Sequence, residues 1–259
     1  MPSNVHVSAA YSHTEARAFP FSVHIALFKH LHQVPKSYPD VKLLPMEYQY
    51  IHIDRYGSNI ATQAAKYRDL RLAALQQSPT SFSSTYETES RFSLDTWIAR
   101  LSEPSKETFV VAARSTGEWV AQVTVLGPIT TSIYDLPEES GQPPALPDEE
   151  EEKWQMLGLY TLPEHRGHGI AKKICQEAFN YLEVQEGQPK KVRVRIMVKR
   201  QNVAPLKMYE SMGFKSAGLC TLAEALIANG DSDMIPEGEL PEAFTSRGGV
   251  VMTLELDKK

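Results

Sequence analysis

The sequence has few of the features that mark secreted, membrane-spanning or nucleic-acid-binding proteins. Its two cysteines are too few for a disulfide framework and suit a reducing compartment. No apolar run approaches the roughly 20 residues of a membrane span. The formal net charge is −5, so the chain lacks the basic surface that nucleic-acid binding requires. We therefore expect a cytoplasmic protein without membrane or nucleic-acid partners, with a nuclear or mitochondrial location left open.

The chain divides by pattern into an N-terminal extension, residues 1–45, and one domain, residues 46–259. At 42% hydrophobic and 23% charged residues, the composition is that of an ordinary globular protein. The extension has no clean periodicity, and its single arginine before residue 37, Arg17, argues against a transit peptide. Within the domain, residues 128–153 form a proline-rich insertion that ends in an acidic run.

The most informative local pattern is a strand, a glycine-bearing loop and a helix. Residues 156–160 are an apolar run that predicts a buried strand, and apolar residues recur at helical spacing from Ile170. The first-turn amides of a helix lack partners, and the helix dipole favours negative charge there. Gly167 and Gly169 let the backbone approach a phosphate, while Arg166 adds a positive charge. The pattern predicts an anion site.

Neither common nucleotide-binding loop fits this segment. The dinucleotide pattern would need a third glycine where Lys172 stands, and the Gly-Lys-Ser/Thr ending of the mononucleotide loop is absent. The segment does contain Arg-x-x-Gly-x-Ala, with Arg166, Gly169 and Ala171. In these residues the chain resembles the acetyl-CoA loop of the GNAT superfamily of N-acetyltransferases.

A second segment carries the same resemblance. After an alternating strand pattern over residues 191–198, residues 202–214 resemble the family's segment N-x-x-A-x-x-L-Y-E-x-x-G-F. Asn202 is a natural helix N-cap, and Gly213 is a natural helix terminator. The resemblance covers about residues 47–256. It implies an α/β fold of the α+β kind, with a mixed, mostly antiparallel sheet of six to seven strands. Helices flank this sheet, and it is splayed between strands 4 and 5.

Residue patterns elsewhere in the chain predict the remaining elements. Strands are expected over residues 47–55, 108–113, 119–126, 215–222 and 250–256. Helices are expected over residues 60–76 and 90–101, and residues 223–249 are expected to form a second acidic loop.

The resemblance also implies how acetyl-CoA is held. The backbone of Leu159, Tyr160 and Thr161 would contact the pantetheine arm and acetyl group, and a strand bulge there would free an amide for the oxyanion. The pyrophosphate would lie against Arg166 and the amides of Gly167, His168, Gly169, Ile170, Ala171 and Lys172. Asn202 would contact the cofactor arm, cap its helix, or do both.

The catalytic groups are less completely indicated. Tyr209 matches the family's general acid toward the leaving thiolate, although a tyrosine that only packs its helix would look the same. Some relatives carry a glutamate base where this chain has Met197. Glu152 is the nearest carboxylate at another family position, and a water relay is an equal alternative.

Other reactive side chains have plainer interpretations. His165 and His168 are expected to be exposed loop residues, with no metal bound. Cys175 is expected in the core rather than as a nucleophile. Among pocket candidates Phe82, Tyr86 and Trp97, the last is expected to fill the core. The acidic run at residues 148–152 is either a rim that attracts a cationic amine or, as we favour, a solvated insertion.

These observations predict an N-acetyltransferase that moves an acetyl group from acetyl-CoA to a primary amine, by direct attack in a ternary complex. A small-molecule acceptor is favoured over a protein lysine or N-terminus. A catalytically weak CoA-binding sensor is the alternative of another class. The sequence leaves a homodimer open.

Overall fold

The computed structural model describes residues 47–259, which contain a seven-stranded mixed sheet. The strands are β1 Tyr48–His52, β2 Lys106–Ala113, β3 Trp119–Leu126, β4 Glu151–Thr161, β5 Lys191–Lys199, β6 Lys215–Cys220 and β7 Gly249–Asp257. Their order across the sheet is β1-β2-β3-β4-β5-β7-β6. Strands β4 and β5 are parallel, and every other neighbouring pair is antiparallel. The predicted fold class is confirmed.

Eight α-helices connect these strands in the described part of the chain. They are α1 Ile60–Gln77, α2 Tyr86–Glu89, α3 Leu94–Ser102, α4 Thr131–Tyr134, α5 Ile170–Glu183, α6 Val203–Glu210, α7 Leu222–Ala228 and α8 Glu242–Thr245. Helices α1 and α3 contact each other and pack on β3 and β2, and α5 packs on β2, β3 and β4.

Helices α1 and α5 cover opposite faces of the sheet, as consecutive residues of β2 show. Glu107 accepts a hydrogen bond from Tyr181 of α5 at 2.8 Å. Thr108, the next residue, bonds Thr124 of β3 at 2.9 Å, and Thr124 in turn bonds Tyr67 of α1. Because successive strand residues point to opposite faces, the two helices lie on different sides. The sheet therefore has an α5 face and an α1 face.

The sheet opens between β4 and β5, as expected. The two strands pair only from Glu151–Lys191 to Gln155–Arg195, so the second half of β4 has no partner on that side. Here β4 also bulges: Leu157 pairs with Thr124 and Tyr160 pairs with Gln122. Two residues, Gly158 and Leu159, thus oppose Val123. A bulge leaves a residue outside the ladder and bends the strand, and Gly158 takes the positive φ of 67° that this bend requires.

Several element bounds differ from those predicted. The fourth strand begins at Glu151, inside the acidic run, where the alternate side chains of Glu151 and Lys153 are buried and ion-paired. The predicted helix over residues 90–101 begins at Leu94, and α2 is a separate turn before it. The predicted second acidic loop contains α7, α8 and a 3₁₀ turn.

Two other expectations concern the chain as a whole. The extension over residues 1–45 lies outside the described residues and stays a prediction. Among residues 47–259, no helix is long and apolar enough to cross a membrane.

Candidate functional site

A cavity of about 900 Å³ runs through the opening between β4 and β5. At one end it is lined by the predicted cofactor loop, at its middle by the β4 bulge and α6, and at the other by α1, α3 and the turn after α7. We call the first part the cofactor half and the last part the acceptor half. The cavity therefore connects the α5 face of the sheet with the α1 face.

The cofactor half is built around the N-terminus of α5. Gly167 and Gly169 have φ values of 80° and 75°, and an added Cβ at either would meet only open space. The amide of Arg166 donates to the Pro163 carbonyl at 3.1 Å, and the next amide with a partner in the described chain is that of Lys173, which donates to the Gly169 carbonyl at 3.1 Å. The six preceding amides, from Gly167 to Lys172, remain available to an anion.

The predicted cofactor residues are gathered here, although not all line the cavity itself. The lining residues among them are Leu159, Tyr160, Thr161, Arg166, Gly167, Ala171, Asn202 and Tyr209. His168, Gly169, Ile170 and Lys172 lie in the same loop and first helical turn. The side chain of Ile170 is buried in the core, so only its amide could meet a ligand.

Arg166 is held in place at the start of the loop. Its Nε donates to the Thr161 carbonyl at 2.9 Å, and its guanidinium lies 5.3 Å from the centre of the Tyr160 ring. The Thr161 hydroxyl is buried and has no hydrogen-bond partner among the described residues. A buried hydroxyl of this kind is costly to leave unpaired, which suits a ligand atom in the cavity.

Tyr209 and Asn202 bracket helix α6 beside the opening. Tyr209 is buried, with its ring 5.3 Å from that of Phe214. Burial, together with nearby Cys175, raises the pKa of Tyr209 well above its usual value of 10.0. Asn202 precedes α6, but its side chain makes no capping hydrogen bond. The side-chain amide of Asn202 is thus available to the cavity. Asn202 occupies the N-cap position, but without a side-chain capping bond.

The structure does not bring Glu152 to the site. Its carboxylate accepts hydrogen bonds from Lys258 at 2.5 Å and Trp154 at 3.2 Å. It lies where β4 and β5 are still paired, and it is absent from the cavity lining. A general base must reach the proton that it abstracts. This geometry does not support Glu152 as the base.

The acidic run likewise does not form a rim. Asp148 pairs with the buried Lys153 at 2.7 Å, and Glu151 pairs with Arg193 at 2.9 Å. No residue from 128 to 153 lines the cavity. The interpretation as a rim that attracts a cationic amine is not supported, and neither is that of a purely solvated insertion, since Tyr134 and Arg195 stack at 3.9 Å.

The acceptor half contains charged residues that the sequence patterns did not single out. The charged side chains on its wall are Arg71, Arg100, Lys106, Lys199 and Asp231. Arg71 donates to Glu89 at 2.7 Å, and Arg100 lies 3.9 Å from Asp231. Asp231 belongs to the predicted second acidic loop. The cations come from α1, α3 and two strands, and no local sequence motif joins them.

The remaining candidate residues divide between cavity and core. Phe82 lines the cavity, and Trp97 is fully buried in the core, as expected. Cys175 is also in the core, where burial raises its pKa to about 12. His165 was expected to be exposed but is buried and hydrogen-bonded to Tyr48 at 3.1 Å. Within residues 47–259, no group of three or more His, Cys, Asp and Glu side chains could hold a metal ion.

Comparisons with solved structures support the fold. A GNAT-family acetyltransferase from Streptococcus pneumoniae is similar with a TM-score of 0.50 and 13% identity, covering 81% of this chain and 99% of that one. A structure described as a putative acetyltransferase from Acinetobacter baylyi has the same TM-score and identity, with 83% and 97% covered. At this identity, the similarity shows a shared fold alone.

Comparison with protein sequences gives the family. A search of curated proteins finds no significant match. The model described as the acetyltransferase (GNAT) family matches residues 71–214, a span that includes the cofactor loop, the β4 bulge and Tyr209. Since this match covers more than half of the chain, the protein belongs to the GNAT family and is an N-acetyltransferase by family.

Proposed function

We propose that the protein transfers the acetyl group of acetyl-CoA to a primary amine of a small molecule, by direct attack within a ternary complex. The observation that carries this proposal is the single cavity through the opening of the sheet. It joins the free amides of the α5 loop to the β4 bulge, to Tyr209 and to the acceptor half. Two substrates that enter from opposite faces would meet at the bulge.

The chain's own residues supply the binding of acetyl-CoA. Arg166 and the free amides from Gly167 to Lys172 surround the pyrophosphate, and the unpartnered Thr161 hydroxyl and the Asn202 side chain contact the pantetheine arm. The bulge at Leu159 supplies an amide to the thioester carbonyl oxygen. A donor fixed by the sheet stabilises the negative charge that develops there during transfer.

Tyr209 acts as the general acid for the departing thiolate. Its raised pKa keeps the phenol protonated at neutral pH, and a general acid must carry its proton when the leaving group departs.

Deprotonation of the attacking amine needs no dedicated carboxylate in this arrangement. Asp231 is the one carboxylate on the cavity wall of the described chain, and it is drawn toward Arg100. No other carboxylate on the described cavity wall could take the proton of the bound amine. We assign its proton to cavity water.

The depth of the acceptor half supports a small acceptor. It reaches the buried side chains of Thr108 and Thr124 on the sheet, beneath α1 and α3. A small molecule can enter this space completely, whereas a polypeptide would leave most of itself outside. Shape and depth thus favour a metabolite-sized amine over a protein substrate.

A thiol-release assay with acetyl-CoA tests the proposal directly. The acceptor panel contains amino acids, diamines, aryl amines and a lysine-rich peptide, and mass spectrometry identifies the acetylated product. We expect turnover with small amines. Turnover with the peptide alone would favour a protein acetyltransferase. Tight CoA binding without turnover on any acceptor would favour the sensor alternative.

A further inference from the structure

The positively charged side chains of the acceptor half differ in their hydrogen-bond and ion-pair partners, and this difference indicates which class of acceptor the cavity binds. Arg71 and Arg100 share the buried carboxylate of Glu89, at 2.7 and 3.5 Å. Burial opposes the ionisation of Glu89, but the hydrogen bonds and charge of Arg71, with the charge of Arg100, outweigh it and lower its pKa. Asp231 provides the second negative charge beside Arg100. The two arginines are thus balanced by two carboxylates.

Lys106 adds a third positive charge near these two carboxylates. Asp231 interacts with it electrostatically, but the ammonium group of Lys106 makes no hydrogen bond, ion pair or ring contact with any residue in the described part of the chain, although Lys106 lines the cavity and is only partly exposed. It lies beside Gly230, where an added Cβ would be 3.8 Å from its Nζ. Lys199, by comparison, donates to the carbonyls of Thr80 and Phe82 at 2.8 and 2.7 Å.

Lys106 also lies too far from the cofactor loop to serve acetyl-CoA. Lys106 pairs with Leu126 at one end of β3, and Thr161, which leads into the loop, pairs with Ala121 at the other. Five residues of a strand separate these positions by about 16 Å. The positive charge of Lys106 therefore belongs to the acceptor half.

We propose that the acceptor is a primary amine that also carries a carboxylate, and that Lys106 binds this carboxylate. The proposal rests on the proposed function. It runs opposite to the cationic acceptor that the acidic run suggested, because the charges on the cavity wall, and not the net charge of the chain, act on a bound molecule. A monoanion pairs with the ammonium that makes no hydrogen bond or ion pair among residues 47–259.

The geometry also sets the distance between the carboxylate and the reacting amine of the acceptor. The β4 bulge opposes Val123, and Lys106 pairs with Leu126, so about 10 Å of strand lies between them. A lysine side chain can span only part of that distance. The carboxylate and the reacting amine must therefore be several bonds apart in the acceptor. L-lysine or L-ornithine reacting at the terminal amine meets this condition, and glycine does not.

Matched acceptor pairs test this inference. L-lysine is compared with cadaverine, and L-ornithine with putrescine, since each pair differs only in the carboxylate. Phosphoethanolamine and ethanolamine form the phosphate arm. We expect kcat/KM to be at least tenfold higher for the carboxylate member of a pair. Equal values, a preference for the diamines, or a preference for the phosphate alone would overturn the proposal.

Two variants test whether Lys106 causes the preference for amines that carry a carboxylate. Lys106→Met should remove the preference by raising KM for the amino acids, with little change for the diamines. Lys191→Met removes the same charge at an exposed position outside the cavity and should leave the preference intact. If both variants keep the preference, Lys106 is not the binding residue and the proposal fails.

A binding measurement separates failure of this inference from failure of the proposed function. Titration calorimetry of L-lysine and cadaverine into the CoA-bound protein requires no turnover. One outcome is that no amine is acetylated, while L-lysine binds more tightly than cadaverine and Lys106→Met removes this difference. That outcome would reject the transferase activity and support the carboxylate site. Turnover of both amines without any difference in binding would support the transferase activity and reject the carboxylate site.

Discussion

Tyr209 is the residue on which the proposed chemistry depends most. Its hydroxyl is the assigned acid, so Tyr209→Phe should lower kcat by about 10²- to 10⁴-fold while leaving the affinity for acetyl-CoA nearly unchanged. Turnover and calorimetry measure the two effects. Tyr181→Phe removes a hydroxyl that bonds Glu107 outside the cavity and should retain activity. Unchanged turnover in Tyr209→Phe would leave Tyr209 as a packing residue only.

The pH dependence of the rate gives a second test at this residue. Burial raises the pKa of Tyr209, so the phenol keeps its proton as the pH rises to its usual value of 10.0 and beyond. We therefore expect that ionisation of Tyr209 causes no decline in kcat below pH 10. Any alkaline decline in that range should be the same in Tyr209→Phe as in the wild type. A decline near pH 8 or 9 that Tyr209→Phe abolishes would contradict the raised pKa.

The residues of the two halves were not equally predictable from sequence. Arg166, Gly169 and Tyr209 belong to short motifs in which spacing alone places the residues on one loop or helix face. Lys106 and Asp231 approach each other only when the start of β2 and the turn after α7 come together in the folded chain. Their approach is a property of the tertiary structure, so no window of sequence contains it.

At the scale of elements, the start of α5 is the clearest case of a backbone built for a ligand. Gly169 has a left-handed φ of 75° and open space where a Cβ would point. Gly169→Val should therefore lower acetyl-CoA affinity at least tenfold, since a side chain strains the backbone by about 1–3 kcal/mol and occupies the anion's place. Calorimetry measures this loss.

A matched control exists in the hairpin between β2 and β3. Gly117 has a φ of 69° and equally open surroundings but belongs to neither the cofactor loop nor the cavity lining. Gly117→Val should lower stability in the same way without changing acetyl-CoA affinity. Equal affinities for both variants would remove the loop from the cofactor site.

The end of the acidic run forms the start of β4, a role that its composition does not indicate. Its alternate side chains pair inward, Glu151 with Arg193 and Lys153 with Asp148, so the strand shows no apolar periodicity there. Hydrophobic patterning detects strands by their apolar face, and for this reason it found only residues 156–160. The capping box of Thr221 and Glu224 was a readable signal for α7 that was missed.

Asp148 allows this role to be tested. Hydrogen bonds from Lys153 and Thr131 lower its pKa to about 2, below the unfolded value of 3.8. Its contribution to stability is therefore present above pH 3.8 and is lost as the pH falls toward 2. Asp148→Asn should lower Tm at pH 7, and the difference from wild type should shrink in that acidic range.

The neighbouring Glu149 provides the comparison, because it is exposed and its side chain makes no hydrogen bond or ion pair among residues 47–259. Glu149→Gln should leave Tm unchanged at both pH values. Neither substitution should alter KM for the amine, since neither residue lines the cavity. A salt-sensitive rise in KM for Asp148→Asn would restore the rim interpretation.

At the scale of the whole molecule, the fold follows from motifs that specify its central strands and helix. Two short segments in a fixed order implied the mixed sheet and its opening, and the structure has both. The acceptor could not be derived in this way, because its side of the cavity is assembled from residues 67 to 249 and families of one fold accept many substrates.

The whole cavity also bears on the order of chemical steps. A covalent acetyl-enzyme would need an activated nucleophile. Burial raises the pKa of Cys175 to about 12 and that of Cys220 to about 11, so neither thiol ionises appreciably at neutral pH. The two cysteines of the chain thus disfavour a covalent route, and the joined halves of the cavity favour direct transfer.

Initial rates of thiol release, measured while acetyl-CoA and the amine are both varied, test this central claim most directly. Direct transfer in a ternary complex predicts double-reciprocal lines that intersect. It also predicts that acetylated amine and free CoA form in equal amounts. Parallel lines, with CoA released before any amine is added, would show an acetyl-enzyme intermediate and contradict the account.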